Sequence, residues 1–531
     1  MPKSGKRILL ILLLVLLFVF QLMPSLWFQN PLVPKALAAD EPLTPTTTQD
    51  SFEGQIEDSL EDGFKDIDPF ASPDDAAGKD DAWINDARID DADPNIDNIS
   101  EDIRDEMTLP GAKYSDLYLG GYVELETEIG YEKPDETLSK FKPILFVETE
   151  YRINRNHKFR ASGRASYDAA YGMTAKDQPG GQGLDDEIRD LELRDLTIDS
   201  TLNDIFSIKA GRQIIAWGDS NFAKITDVVN PRDTTSPGLI ELEDSRLPVA
   251  SLRLSAQYGS LSLDGVSIHE HPGSKISGLG SDFDYYAPLR QPNIWIRDKK
   301  TPDAGFKETS FAFKATRSFN GGDISLVAAN TFDDLPVLSY QGISPQEILM
   351  FTPEYERFST LGISASMVKD SALFKVEAAF RKDRAVQRND VLSQIAAGIP
   401  VRSIQTFDKK DQVEVLTGLE YTGISDLRIL LEGKILRTLD HKSFLNLPKY
   451  EYRTYFQATY AMLNETLALD LFWVYFNPGQ GHILRLSGEY DIFDNVSVQL
   501  GMAFYSADNS DTVIYPYKNM DRIFFRFKYF F

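Results

Sequence analysis

The stretch Leu117-Tyr118-Leu119-Gly120-Gly121-Tyr122-Val123-Glu124-Leu125-Glu126-Thr127-Glu128-Ile129 repeats with a period of two. Leu117, Leu119, Val123, Leu125 and Ile129 share one face, while Glu124, Glu126 and Glu128 share the other. Successive side chains of a strand point to opposite faces, so this run has one apolar and one carboxylate-bearing surface. The carboxylates are too many for the core of a sandwich. In a transmembrane barrel the apolar face meets lipid and the charged face meets a wet lumen.

The same alternation recurs downstream. It runs through 145–153 with Glu148, Glu150 and Arg152 inward, and through 159–171 with Arg160, Arg164 and Asp168 inward. It returns in 413–421, 427–435 and 484–491. Between Glu192-Leu193-Arg194 and Leu196-Thr197-Ile198 it slips by one, which predicts a bulge at Asp195. Counting such runs predicts an all-β chain: an antiparallel up-and-down transmembrane barrel of about 18 strands, within a range of roughly 16–18. Short turns such as Asn154-Arg155-Asn156, Tyr258-Gly259 and Phe493-Asp494-Asn495 alternate with long connections such as 218–247, 271–307, 333–356 and 383–410. Short periplasmic turns and long outer loops are the pattern of an outer-membrane barrel, and the parity returns the C-terminus to the periplasm.

The final strand carries the strongest signal. Ile523, Phe525, Phe527, Tyr529 and the terminal Phe531 lie on one face, and Arg526 and Lys528 on the other. In water such an edge would invite aggregation. An aromatic terminus made of Phe527, Tyr529 and Phe531 resembles the signal read by outer-membrane insertion machinery.

The totals agree. Of 531 residues, 55 are Lys or Arg and 81 are Asp or Glu, giving a net charge of −26 that argues against nucleic acid as a partner. There is no cysteine, which excludes disulfides, thiolate metal sites and covalently attached c-type haem. Aromatic residues make up 11%, as two interfacial girdles would require.

The N-terminus reads as an address. Lys3, Lys6 and Arg7 precede the apolar run Ile8 to Phe20, and Ala36-Leu37-Ala38-Ala39 forms a small-x-small cleavage site. That order marks a secretory signal peptide over 1–38. A linker over 39–112 follows, read as largely disordered, and then the barrel over 113–531. Between Asp40 and Pro110 stand 23 acidic residues and four basic ones, so 4 − 23 = −19 of the charge lies there. Such a block repels itself and rarely buries a core. Phe52, Ile56, Leu60 and Phe64 have the spacing of one short amphipathic helix, a docking element for a periplasmic partner or transient structure. Asp91, Asp93, Asn95 and Asp97 imitate a calcium loop, but Ile96 replaces its turn glycine and Asp102 its bidentate glutamate.

The inward charges are mixed. Glu124, Glu126, Glu148 and Glu150 oppose Arg152, Arg160, Arg164, Arg485 and Arg526, which predicts a polar lumen without a clear ion preference. Two long connections are apolar where loops should be polar. One holds Ile343, Ile348, Leu349, Met350 and Phe351; the other places Leu392, Ile395, Ala396 and Ile399 at helical spacing before Pro400. They either constrict the lumen, line an opening for an apolar ligand, or pack among themselves.

A dense block then stands out: Glu192-Leu193-Arg194-Asp195, Ala210-Gly211-Arg212-Gln213-Ile214-Ile215-Ala216-Trp217-Gly218-Asp219-Ser220 and Asp227-Val228-Val229-Asn230-Pro231-Arg232-Asp233. It resembles the hallmark of a proteobacterial outer-membrane β-barrel family, the domain-of-unknown-function 1302 type, specifically over 191–247. The resemblance implies a barrel associated with export of hydrophobic compounds or lipids beside an inner-membrane efflux partner. The block reads as a strand ending in Trp217 at the outer rim, a Gly218 turn, and a loop stiffened by Asn230-Pro231. Arg212, Asp219, Asp227, Arg232 and Asp233 are the expected ion-pair network of a pore constriction.

Three functions compete. A loop-constricted channel or transporter for a small or lipophilic ligand leads, with outer-membrane lipid as its surroundings and no cofactor. A general porin, or a sheath around an electron-transfer cytochrome, would need a wide lumen. An outer-membrane enzyme is disfavoured: there is no Gly-x-Ser-x-Gly elbow, and His269-Glu270-His271 puts its carboxylate on the side opposite its imidazoles.

Overall fold

The computed structural model describes residues 117–131, 138–173, 188–240, 245–278, 281–289, 291–510 and 512–531. The signal peptide, the acidic segment, its candidate helix and the calcium-like pattern therefore lie outside the described residues.

Eighteen strands form one sheet closed on itself. The first seven are β1 (Leu117–Gly130), β2 (Leu138–Asn154), β3 (His157–Tyr167), β4 (Arg189–Thr201), β5 (Phe206–Gln213), β6 (Val249–Tyr258) and β7 (Leu261–Ile268). The wall continues through β9 (Ser310–Phe319), β10 (Gly322–Phe332), β13 (Arg357–Lys369), β14 (Ala372–Gln387), β15 (Phe407–Ile424) and β16 (Leu427–Thr438). It ends with β17 (Tyr450–Met462), β18 (Leu467–Asn477), β19 (Gly481–Phe493), β20 (Val496–Ala507) and β21 (Arg522–Phe530). Each barrel strand pairs antiparallel with its sequence neighbours in the wall, and β21 closes on β1 with Leu125 opposite Phe527. The Gly121 and Phe531 amides exchange bonds of 3.0 and 2.9 Å across that seam. Closure leaves no edge, the condition for a sheet to stand in a membrane.

Side chains sort as the alternation requires. On β1, Leu119 is 66% exposed on the outside, while Glu124 is 5% exposed on the inside. On β21, Phe525, Phe527 and Tyr529 face outward. The turns at one end of the barrel are short, and both ends of the barrel chain lie there; most long connections lie at the other.

Local departures have identifiable causes. The predicted slip falls where Ser162 opposes Asp195 and Gly163 opposes Leu193, so Arg194 is the extra residue. The alternation predicted a third strand through Tyr171, yet β3 ends at Tyr167. The Asp168 carboxylate accepts the Phe141 and Ala170 amides, each at 3.0 Å, and turns the chain into the short helix α1 (Ala170–Met173). The two apolar connections pack largely on each other. β11 (Val337–Ile343) and β12 (Leu349–Glu354) pair as a hairpin that β8 (Ile294–Ile296) joins in parallel. Helix α2 (Val391–Ala396) contributes Val391, Leu392 and Ile395 to one cluster with Leu338, Tyr340 and Phe351.

The lumen is less uniformly polar than the alternation predicts. Along β15 to β21 its wall carries Leu416, Leu430, Tyr455, Phe472, Val474, Phe476 and Ile483, all buried. Alternation marks which side chains face inward; it cannot tell that these inward residues have apolar partners waiting for them.

Candidate functional site in the lumen

The partners come from the connection between β5 and β6, residues 214–248. The family-like block predicted a strand reaching Trp217 at the rim, but the strand ends at Gln213 and the chain turns inward. Trp217 is 2% exposed and packs with Ile215, Val229, Val249 and Val266 rather than standing in a girdle. Phe222, Ala223, Ile225 and Leu239 of the same loop pack on the opposite apolar arc, with the Phe222 ring 5.3 Å from Tyr455 and 5.6 Å from Phe472. The loop crosses the barrel from wall to wall.

Asn230 stitches the two arms of the loop together. Its Oδ1 accepts the Ile215 amide at 2.7 Å, and its Nδ2 donates to the Leu247 carbonyl at 2.7 Å. Pro231, which has no amide hydrogen to donate, offers its carbonyl to the Leu247 amide at 2.8 Å. The Asp227 carboxylate binds Arg246 at 3.1 Å and Arg232 at 3.4 Å, and its Oδ1 also accepts the Trp217 amide at 3.3 Å.

The far wall holds the loop through complementary polar groups. Glu377 of β14 accepts four bonds: from the Asp219 and Ser220 amides at 2.8 and 2.6 Å, and from the Thr226 amide and hydroxyl at 2.9 and 2.7 Å. Glu432 of β16 accepts the Ser220 hydroxyl at 2.6 Å and the Asn221 amide at 2.9 Å. Wall donors meet loop carbonyls elsewhere: Lys314 reaches Trp217 at 2.8 Å, Arg381 reaches Lys224 at 2.7 Å, and the Tyr505 hydroxyl reaches Pro237 at 2.7 Å. Arg526 likewise holds the Leu239 carbonyl. Buried amides and carboxylates must find partners, so the segment 217–226 and the two glutamates satisfy one another.

The residues expected to form one ion-pair network do not all meet. Asp227 and Arg232 pair. Arg212 instead binds Glu270, of the His269-Glu270-His271 run, and the Leu193 carbonyl at 2.7 Å. Asp233 caps Thr235 through its amide and hydroxyl at 3.0 and 2.7 Å. Asp219 contributes its amide to Glu377, and its Oδ2 has no hydrogen-bond partner among the described residues. The wall carboxylates Glu377 and Glu432 were missed as loop anchors. The signal available was inward parity, which many charges share.

On the short-turn side of the loop, inward charges pair across neighbouring strands. Arg160 bonds Glu148 at 2.9 Å, Arg526 lies 3.3 Å from Glu126, and Lys528 lies 3.6 Å from Glu124. Exposure falls steadily from the turns toward the loop. Glu150 and Lys158 are 32% and 40% exposed, Glu148 and Arg160 19% and 33%, and Glu192 and Arg164 6% and 12%. Arg152 is exposed at the turn rim. Water thus reaches a vestibule that narrows to the level of the loop.

A closed transmembrane barrel with an apolar exterior and a partly hydrated, charged lumen defines a porin-like outer-membrane channel. The chain belongs to the family described as "Protein of unknown function (DUF1302)", whose profile matches residues 129–531. No curated relative matches the sequence. Among solved structures, it is similar to Acinetobacter baumannii OccAB1, at 11% identity and a TM-score of 0.46, over 78% of this chain and 95% of that one. A. baumannii OccAB3 aligns at 10% identity and 0.46, over 79% and 100%. Pseudomonas aeruginosa OccD3 (OpdP) aligns at 9% and 0.45, over 78% and 91%.

Proposed function

We propose that this channel is selective, constricted by its β5–β6 loop, and handles a small or lipophilic ligand. The observation that carries the reading is the loop spanning the lumen, its two arms stitched together by Asn230 and its tip bonded to the far wall through Glu377 and Glu432. The apolar arc on β15 to β21 is taken up by the loop itself, so what stays open to a ligand is the vestibule of paired charges on β1 to β4. The constriction is the segment from Trp217 through Asp233, with Arg212 at its root. The lumen-facing charges from Glu124 to Arg164 line the vestibule below. The long-loop end faces outward and the N-terminal segment the periplasm, where an inner-membrane transport partner would dock. Phe527, Tyr529 and Phe531 present the insertion signal.

A loop-filled lumen disfavours the open porin and the cytochrome sheath, which need an unobstructed bore. The test is single-channel conductance of the refolded chain from residue 39 in a planar bilayer. The expected result is small or absent current from inserted protein. Large, steady, weakly selective current would overturn the reading.

A further inference from the structure

The outward face of β13 to β17 departs from the rest of the barrel exterior at its long-loop end. Lys382 follows Phe380 and Val376 on the outward side of β14, where the ladder bulges between Arg381 and Arg384. Lys409 lies beside it on β15, and Arg437 continues the outward row of Leu431 and Ile435 on β16. Lys449 immediately precedes β17. Arg437 and Lys449 each stand 5.7 Å from the ring of Tyr450, which stacks on Tyr452 at 6.4 Å. Both tyrosines are exposed on the outward face.

Lys382, Arg437 and Lys449 have no carboxylate partner among the described residues. Lys409 binds Glu356 at 2.9 Å. The Asp383 and Asp411 carboxylates border the row, Asp411 accepting the Asp383 amide at 3.0 Å. Four adjacent strands set the four cations about 15 Å apart from end to end, given a spacing of about 4.8 Å between strands. Tyrosines mark the level where the hydrocarbon gives way to headgroups. Cations directly above that level meet lipid phosphates.

We propose that Lys382, Lys409, Arg437 and Lys449 form a docking site for the phosphates of a phosphorylated glycolipid in the outer leaflet, with Tyr450 and Tyr452 against its sugar and upper chains. The outward orientation rests on the reading above, but the binding chemistry does not depend on conduction. A basic residue at an anionic lipid surface contributes about fivefold in affinity, so removing four should cost on the order of a hundredfold or more.

The probe is bisphosphorylated lipid A, added to the full chain folded in a zwitterionic detergent and followed by native mass spectrometry. Wild-type protein should retain the lipid and lose it in high salt, and should bind the same lipid stripped of phosphate far more weakly. The K382Q/K409Q/R437Q/K449Q variant, verified as a heat-modifiable barrel, should lose the bound lipid. Equal binding of the phosphate-free lipid to wild type would overturn the proposal without any variant. So would unchanged binding to the variant. A wild-type oligomer that dissociates in the variant, with lipid binding unaffected, would reassign the patch to contact between copies of the chain and equally overturn it.

Discussion

Replacing Glu377 and Glu432 together by alanine should release the segment 217–226 from the far wall. Glu377 accepts four hydrogen bonds from the loop and Glu432 accepts two, all between 2.6 and 2.9 Å. Hydrogen bonds to a charged group contribute about 1.5–3 kcal/mol each, though bonds to one carboxylate are far from additive. Water from the vestibule can also re-solvate the freed amides. A net loss of about 4 kcal/mol is a fair working value, which shifts the balance between held and released loop roughly a thousandfold. The barrel itself should survive, because both side chains point into the lumen while Glu377 and Glu432 pair with Leu416 and Gly418 through backbone that alanine keeps. Arg381, Tyr505 and Arg526 still tether other parts of the loop, so the expected change is local widening rather than ejection. The assay is open probability and conductance in planar bilayers, beside heat-modifiability as a check on assembly. Glu377→Gln, which keeps one carbonyl acceptor, should fall between wild type and the double alanine variant. Unchanged conductance and open probability in assembled double-variant protein would refute the reasoning.

Two other outcomes follow from the same geometry. Burial pushes the Asp333 carboxyl up, but the charge and hydrogen bonds of Arg384 outweigh it and hold the carboxyl below its ordinary value of 3.8. A depressed carboxyl stabilises the fold above its unfolded value and loses that contribution as pH falls through the lower folded one. His271, in contact with the Asp333 carbonyl, is pushed below its ordinary 6.5 by burial and stays neutral near pH 7. A spin label on a cysteine placed at the exposed Ile343, in a chain with no native cysteine, should keep constant mobility above pH 6.5, begin to loosen below 6.5 as the released imidazole takes up a proton that the buried one resists, and loosen further below 3.8. Loosening between neutrality and 6.5 would contradict this account. Deleting Phe531 removes the reciprocal pair with Gly121 that closes the seam, and with it the aromatic terminus. The assembled fraction in outer membranes should fall several-fold while refolding in detergent persists; equal assembly in cells would remove Phe531 from the insertion signal.

Much of this protein was legible along the chain because strand alternation is local. Glu124 and Leu125 must point to opposite faces wherever the strand goes, and turns such as Asn154-Arg155-Asn156 end strands by their own backbone preferences. The barrel, its strand number and the two unlike ends follow from that periodicity. The bulge beside Asp195 is a slip in the same pattern. Even the family-like block could be marked as unusual, since Trp-Gly and Asn-Pro punctuate a long connection.

What lies inside the barrel depended on partners far apart in sequence. Asp219 and Glu377 are separated by 158 positions, and Ser220 and Glu432 by 212. No local period encodes those meetings. Trp217 looks like a rim residue until the Asn230 side chain takes the Ile215 amide and draws the chain off the wall. Phe472 and Val474 look like ordinary strand residues until Phe222 fills the lumen against them. Side-chain direction is set by the backbone of each residue, but whether an inward residue meets water, an ion pair or a buried ring is set by which loop the closed barrel brings across it.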